Sequence, residues 1–158
     1  MKDELKEIRQ YLQESRFTNE EQVRISIVLR ILKIVGWDIW NPNEVKAEFN
    51  PVPTEDSTRV DFALFLNSYY PPTVFIEVKS VGRIESELTK IEQQLRDYNR
   101  NNTAQFSVIT DGQQWRFYYS QTGGEFSQKC FKIVDIITDE FDDIITVINK
   151  FLSKTEIL

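Results

Sequence analysis

Thr73-Val74-Phe75-Ile76-Glu77-Val78-Lys79 is an apolar run interrupted only near its end, where Glu77 and Lys79 stand two residues apart. Alternate side chains of a strand share a face and are spaced by roughly 6.5–7 Å, so a strand here presents acid and amine together. Just upstream, Arg59-Val60-Asp61-Phe62-Ala63-Leu64-Phe65-Leu66 is a second apolar run, and it carries Asp61. The intervening Asn67-Ser68-Tyr69-Tyr70-Pro71-Pro72 has turn composition, which predicts a hairpin folding the Asp61 strand back beside the Glu77 strand. Charges in buried strands are costly unless partnered. Two acids and a lysine converging there predict a metal site that one ion or one scissile phosphate can reach.

The tripeptide alone decides nothing, because Glu-x-Lys occurs three times, as Glu4-Leu5-Lys6, Glu44-Val45-Lys46 and Glu77-Val78-Lys79. The first copy lies in a charged run whose apolar Leu5, Ile8 and Leu12 follow helical spacing, the pattern of a solvated helix face. The second sits in a predicted strand over residues 44–50, and the only acid shortly before it, Asp38, is too near to belong to a preceding paired strand. Only the third copy has a partner carboxylate on a neighbouring strand.

A chain of 158 residues with 41% hydrophobic and 13% aromatic content has enough apolar material for one globular domain over residues 1–158. No run approaches the roughly 18–20 apolar residues of a membrane span, and Met1-Lys2-Asp3-Glu4 opens no signal segment. A cytoplasmic protein without membrane contact is therefore expected. The lone Cys130 excludes an internal disulfide and cysteine-clustered zinc, and its alternating surroundings mark it as core filler. The complete lack of histidine removes histidine-based hydrolases and nucleases, most zinc enzymes and histidine phosphotransfer. A net charge of −6 argues against non-specific coating of DNA. It is compatible with acidic metal ligands, and Arg59, Lys79, Arg83, Lys90, Arg96 and Arg100 are candidates to line one groove.

Along the chain, Asn19-Glu20-Glu21 opens a helix with Val23, Ile27, Ile31 and Ile34 at spacings of three and four, closed by Gly36. Strands are predicted at 44–50, 59–66 and 73–79, then a helix over 85–98 with Leu88, Ile91, Leu95 and Tyr98 on one face. Residues 106–110, 115–119 and 126–133 read as strands, Asp111-Gly112 as a turn, and 139–152 as a closing helix. The loop over 50–58, with Pro51 and Pro53, is the expected mobile segment. The order predicts an α/β (α+β) fold with a central mixed sheet flanked by helices.

These residues resemble the PD-(D/E)xK nuclease superfamily, whose restriction-endonuclease-like core runs helix, three strands, helix, strand. The chain is most similar to the N-terminal endonuclease domain of type I restriction enzyme restriction subunits. The resemblance rests on Asn19-Glu20-Glu21-Gln22-Val23-Arg24 leading to Gly36-Trp37-Asp38, on Val60-Asp61-Phe62, on Ile76-Glu77-Val78-Lys79-Ser80, and on Gln94-Leu95-Arg96-Asp97-Tyr98, which matches a Gln-x-x-x-Tyr element. Ile109-Thr110-Asp111-Gly112-Gln113-Gln114-Trp115-Arg116-Phe117-Tyr118 also looks like the strand-turn-strand that follows in the family. No Gly-rich phosphate loop of a translocase motor is found. The resemblance therefore implies a freestanding nuclease-like protein, or a remnant or accessory protein of a restriction or mobile-element system.

The implied activity is Mg²⁺-dependent DNA cleavage, with Mn²⁺ as a substitute. Asp61 and Glu77 supply oxygens to the metal, and Lys79 helps deprotonate or place the attacking water. By resemblance Glu20 joins the metal ligands, Gln94 orders the active site or touches DNA backbone, and Tyr98 follows it with an unassigned role. The same residues also carry plainer readings. Asp61 or Glu77 with Lys79 makes an ion pair at a sheet edge, and Glu20, or Glu21 beside it, suits helix capping. Gln94 suits a helix-sheet hydrogen bond, Tyr98 a packed face with a polar tip, and Trp37, Trp40 and Trp115 core or rim. The implied partners are DNA and restriction-modification subunits, and the superfamily admits a homodimer. A catalytically inactive nuclease-fold module that binds DNA or a partner is the alternative, and an unrelated α/β domain requires Asp61 and Glu77 on opposite sheet faces.

Overall fold

The computed structural model describes residues 1–51, 59–67, 71–100 and 104–157. Most of the predicted loop over 50–58 and the centre of the predicted 67–72 turn lie outside them. Six strands form one mixed sheet in chain order: β1 (Val45–Phe49), β2 (Val60–Leu64), β3 (Val74–Val78), β4 (Phe106–Thr110), β5 (Gln114–Tyr119) and β6 (Cys130–Asp135). Neighbours pair antiparallel except β3 and β4, which are parallel. A parallel pair needs a crossover, and α4 (Ile84–Tyr98) makes it. The result is the mixed sheet with flanking helices of a restriction-endonuclease-like core.

Two layers cover the sheet. α1 (Lys2–Gln13), the helix containing Val23, Ile27, Val28, Ile31 and Leu32, and α5 (Phe141–Leu152) bury their apolar stripes on one face, against Phe62, Ile76 and Val108. On the other face, Ile84, Ile91, Leu95 and Tyr98 of α4 pack with Ala63, Phe75, Ile109 and Tyr118. β3 and β4 are buried along their whole length because both faces are covered. This explains why their sequences are nearly continuous apolar runs.

The opening helix is not regular. α2 (Glu20–Val23) passes through a π-helical turn, Arg24–Val28, into α3 (Leu29–Ile34). Val23, Ile27 and Ile31 are each four residues apart and fully buried. In a regular helix that spacing drifts by about 40° per step, and a wider turn keeps the three on the sheet. Their approach is close at the β4–β5 turn, where a Cβ on Gly112 (φ +90°) would lie 2.6 Å from Ile27 Cδ1 and 3.2 Å from Val23 Cγ1.

Two expected boundaries move. The strand predicted over 126–133 begins only at Cys130, because Phe126–Lys129 forms a 3₁₀ turn that stacks the Phe126 ring on Tyr118 at 5.1 Å. Gly123-Gly124 before it reads as a turn into a strand, and the aromatic anchor decides otherwise. The closing helix starts at Phe141, after Asp139 accepts from the Asp135 N–H. Trp37 and Trp115 are core, whereas Trp40 is exposed beneath the Lys33 ammonium.

Candidate active site

Asp61 and Glu77 meet as the hairpin predicts. β2 and β3 pair with Phe62 opposite Ile76, so continuing the register by one residue sets Asp61 opposite Glu77, and cross-strand partners point to the same face. The side chains cross over to the partner backbone. Asp61 Oδ2 accepts from the Val78 N–H at 2.7 Å, and Glu77 Oε1 accepts from the Asp61 N–H at 3.4 Å. The unrelated-domain reading required opposite faces, and the hairpin register does not supply them.

Lys79 completes the trio, its Nζ lying 3.6 Å from Glu77 Oε2. It stands where β3 leaves the sheet, with its backbone N–H still bonded to the Thr110 carbonyl. The next residues are braced from below. Asp111 is buried, its Oδ2 accepts from Gly82 N–H at 2.9 Å, and its Oδ1 accepts from the Gln113 and Gln114 N–H groups. Gly82, at φ +85°, turns the chain into α4. The β4–β5 turn thus anchors the segment that follows Lys79.

The opposite layer contributes Glu20. Asn19 caps the helix, its Oδ1 accepting from Gln22 N–H at 2.8 Å, and Glu20 and Glu21 stand in its first turn, where acids are favoured. Desolvation and then the Asp61 charge raise the Glu20 carboxyl above its ordinary range, with Lys79 and Arg24 pulling the other way. Glu21 is exposed and pairs with the outer side of Arg24 at 3.3 Å. Glu77 is perturbed more: burial, followed by the Asp61 charge, pushes it well above its ordinary range, and Lys79 offsets only part of this.

Three contributors were not singled out from the sequence. In the sequence Arg24 is one more position of the opening helix, yet its Nε lies 3.5 Å from Asp61 Oδ1 and one terminal nitrogen lies 3.0 Å from Glu48 Oε1. Glu48 belongs to β1 and holds a left-handed backbone, φ +54°, a conformation uncommon for a non-glycine residue. Asp111 has the sequence signature of a turn residue and no more. Arg24 is i+4 from Glu20 and therefore shares its helix face, the one signal that links it to the site.

Gln94 and Tyr98 sit on the sheet-facing side of α4. Tyr98 is buried against Phe75 and donates its hydroxyl to the Arg59 carbonyl at 2.8 Å. Burial, with Glu77 and Asp61 adding charge, raises its phenol. Gln94 Oε1 is buried without a hydrogen-bond partner, and among the described residues no hydrogen bond joins Gln94 to the acids or Lys79. The expected basic groove is divided: Arg96 and Arg100, both paired with Asp97, line a recess with Ser120 and Lys129, apart from Lys79.

The donor chemistry suits a hard cation: carboxylate oxygens of Asp61, Glu77 and Glu20 with no sulfur or imidazole nearby. Among the described residues no three acids converge tightly enough to enclose a metal. Mg²⁺ does not require this, since it is commonly held by one or two carboxylates and keeps several waters.

A family model for the N terminus of the type I restriction enzyme R protein matches residues 48–126, half of the chain. The chain belongs to this family. Comparison with curated proteins and with solved structures gives no match. The type I R-protein match spans the hairpin with Asp61, Glu77 and Lys79, the crossover helix with Gln94 and Tyr98, and the bracing turn at Asp111. Glu20 and Arg24 lie outside it. Among the described residues, no helix of this R-protein N-terminal fold is long and apolar enough to cross a membrane.

Proposed function

We propose that the protein is a Mg²⁺-dependent DNA endonuclease of the type I restriction-subunit kind, in which Asp61 and Glu77, with Glu20, hold the metal. The observation that carries this reading is Glu77: a buried carboxylate opposite a second carboxylate, raised well above its ordinary range and only partly relieved by Lys79. Such a group is unfavourable for folding and favours binding a cation. When bound, the metal supplies charge neutralisation at the phosphate and a more acidic water. Lys79 Nζ, 3.6 Å from Glu77, would orient the attacking water and offset negative charge developing on the phosphate. Asp111 and the Lys79 N–H bond to Thr110 hold the lysine's backbone in place. Tyr98 keeps the start of β2, and hence Asp61, against α4 through its bond to Arg59.

DNA and restriction-modification subunits are the partners this reading requires, and Mn²⁺ is the expected substitute ion. The test is nicking of supercoiled plasmid with Mg²⁺ and with chelator, using the parent and the Asp61→Ala, Glu77→Ala and Lys79→Ala proteins. Cutting that persists in all three folded variants sinks the assignment. A second reading, a nuclease-fold module that binds DNA or a partner without cutting, draws support from the engagement of both Asp61 oxygens, one by Val78 N–H and one by Arg24. Its signature is association that survives chelation, with no cleavage under any divalent ion.

A further inference from the structure

Five carboxylates surround the head of the opening helix and the β2–β3 end of the sheet: Glu20, Glu21, Glu48, Asp61 and Glu77. Two cations, Arg24 and Lys79, are paired within them. Lys79 answers Glu77. Arg24 reaches three acids at once, with Asp61 Oδ1 at 3.5 Å from Nε, Glu48 at 3.0 Å and Glu21 at 3.3 Å from the two terminal nitrogens.

These contacts are not equivalent. The outer two are to acids that are 64% and 55% exposed at the side chain, whereas Asp61 is 16% exposed. The Asp61 contact is also the loosest, because the Arg24 Nε is buried yet makes no hydrogen bond. A guanidinium held this way is fixed at its outer edge and poorly satisfied at its inner edge. Phe62 supports its plane at 5.3 Å, and the π-helical turn that begins at Arg24 aims it across the sheet end.

We infer that Arg24 is a built-in counter-ion that occupies the Asp61 side of the acid cluster and yields that oxygen when a divalent cation binds. The inference rests on the metal-centre reading above. Binding leaves the outer Glu21 and Glu48 pairs intact, so the guanidinium withdraws from Asp61 without being stranded, and the positive charge at the Asp61 oxygen is exchanged rather than lost. In the absence of the ion Arg24 limits repulsion between Asp61 and its acidic neighbours, which permits the cluster to exist in a folded chain.

Two measurements on the full chain test this. Mn²⁺ titration followed by electron paramagnetic resonance compares the parent with Arg24→Met and Arg24→Lys. Arg24→Met is expected to bind Mn²⁺ about tenfold tighter, the size of the repulsion between a single and a double positive charge about 5 Å apart in a water-like dielectric, and Arg24→Lys to stay near the parent. Should Arg24→Met fail to fold, the parent alone decides: its Arg24 Nε–H resonance shifts on Mg²⁺ addition while that of Arg100 stays put. Equal or weaker Mn²⁺ binding by folded Arg24→Met, or an Arg24 resonance unmoved at saturating Mg²⁺, overturns the inference while leaving a metal-binding parent and the proposed function standing. A parent that binds neither ion removes the metal centre and this inference with it.

Discussion

The tripeptides Glu44-Val45-Lys46 and Glu77-Val78-Lys79 have one sequence and opposite electrostatics. Glu44 is buried at the start of the edge strand, and burial works to raise its carboxyl, but the Lys154 ammonium at 2.8 Å and the Asp38 N–H at 2.8 Å outweigh it and leave the pKa lowered. Glu77 is buried at the end of a central strand, where a second acid faces it and the net shift is upward. The first glutamate is a satisfied structural charge. The second is held against the preference of the surrounding protein, and a fold retains such a group where a ligand relieves it. Their neighbouring lysines diverge as well: Lys46 lies over the Phe65 ring at 4.7 Å, while Lys79 pairs with Glu77.

The widest separation between the two copies is expected in catalysis. Glu77→Ala and Lys79→Ala should lower Mg²⁺-dependent plasmid nicking by roughly 10²–10⁴-fold, whereas Glu44→Gln and Lys46→Ala keep it within about twofold of the parent at a temperature where all are folded. Equal losses from both pairs would dissolve the distinction.

A backbone change reaches one copy without touching the other. Gly112→Ala forces a Cβ against Ile27 and Val23 at a left-handed φ, and should cost roughly 2–4 kcal/mol in urea unfolding. The helix bearing Glu20 and Arg24 must then shift relative to β3, so nicking by the surviving folded fraction should fall as well. Activity per folded molecule equal to the parent's would show that the helix does not position the site.

The pH dependence of stability should carry opposite signs. Glu77 has a raised folded pKa, so its contribution to stability is complete below its ordinary value of 4.5 and is lost as pH rises through the folded pKa. Glu44 has a lowered one, so its contribution is present above 4.5 and is lost as pH falls through the folded pKa. Melting curves in chelator should therefore show Glu77→Gln flattening the decline above pH 4.5 and Glu44→Gln flattening the decline below it. Mg²⁺ should reproduce the Glu77→Gln effect in the parent. The same slope in all three proteins contradicts the assignment.

The smallest effect belongs to the structural copy alone. Lys154→Met leaves Glu44 with only the Asp38 N–H, and the loss should be about 1 kcal/mol in urea unfolding, with nicking unchanged. A loss of nicking would connect the Glu44–Lys154 pair to the site in a way its own contacts do not.

Much of this was legible in the chain because it depends on short-range pattern. Two apolar runs around a turn-forming segment gave the hairpin, and strand parity put Glu77 and Lys79 on one face. Asn19 and Gly36 marked the ends of the opening helix, and both hold, the first as a side-chain cap and the second at φ +104°. The 3₁₀ turn at Phe126 was not legible because four residues after a Gly-Gly turn carry no helical period of their own, and the choice was made by a ring stacked on Tyr118. Arg24 and Glu48 escaped for a related reason. Nothing in their local spacing says that Arg24, at the head of a π-helical turn, and Glu48, a left-handed residue of the neighbouring β1, pair with each other beside Asp61.

The amino-acid pattern alone determined which residues are candidates: periodicity assigns each side chain to a face, and only one Glu-x-Lys follows a hairpin that sets a carboxylate opposite its glutamate. Only the tertiary structure decided the charge balance among them. Whether a buried acid is satisfied or strained depends on groups far away in sequence, Lys154 for Glu44 and Asp61 for Glu77. Coulomb energy follows distance in space and local dielectric, and neither is encoded in the separation along the chain.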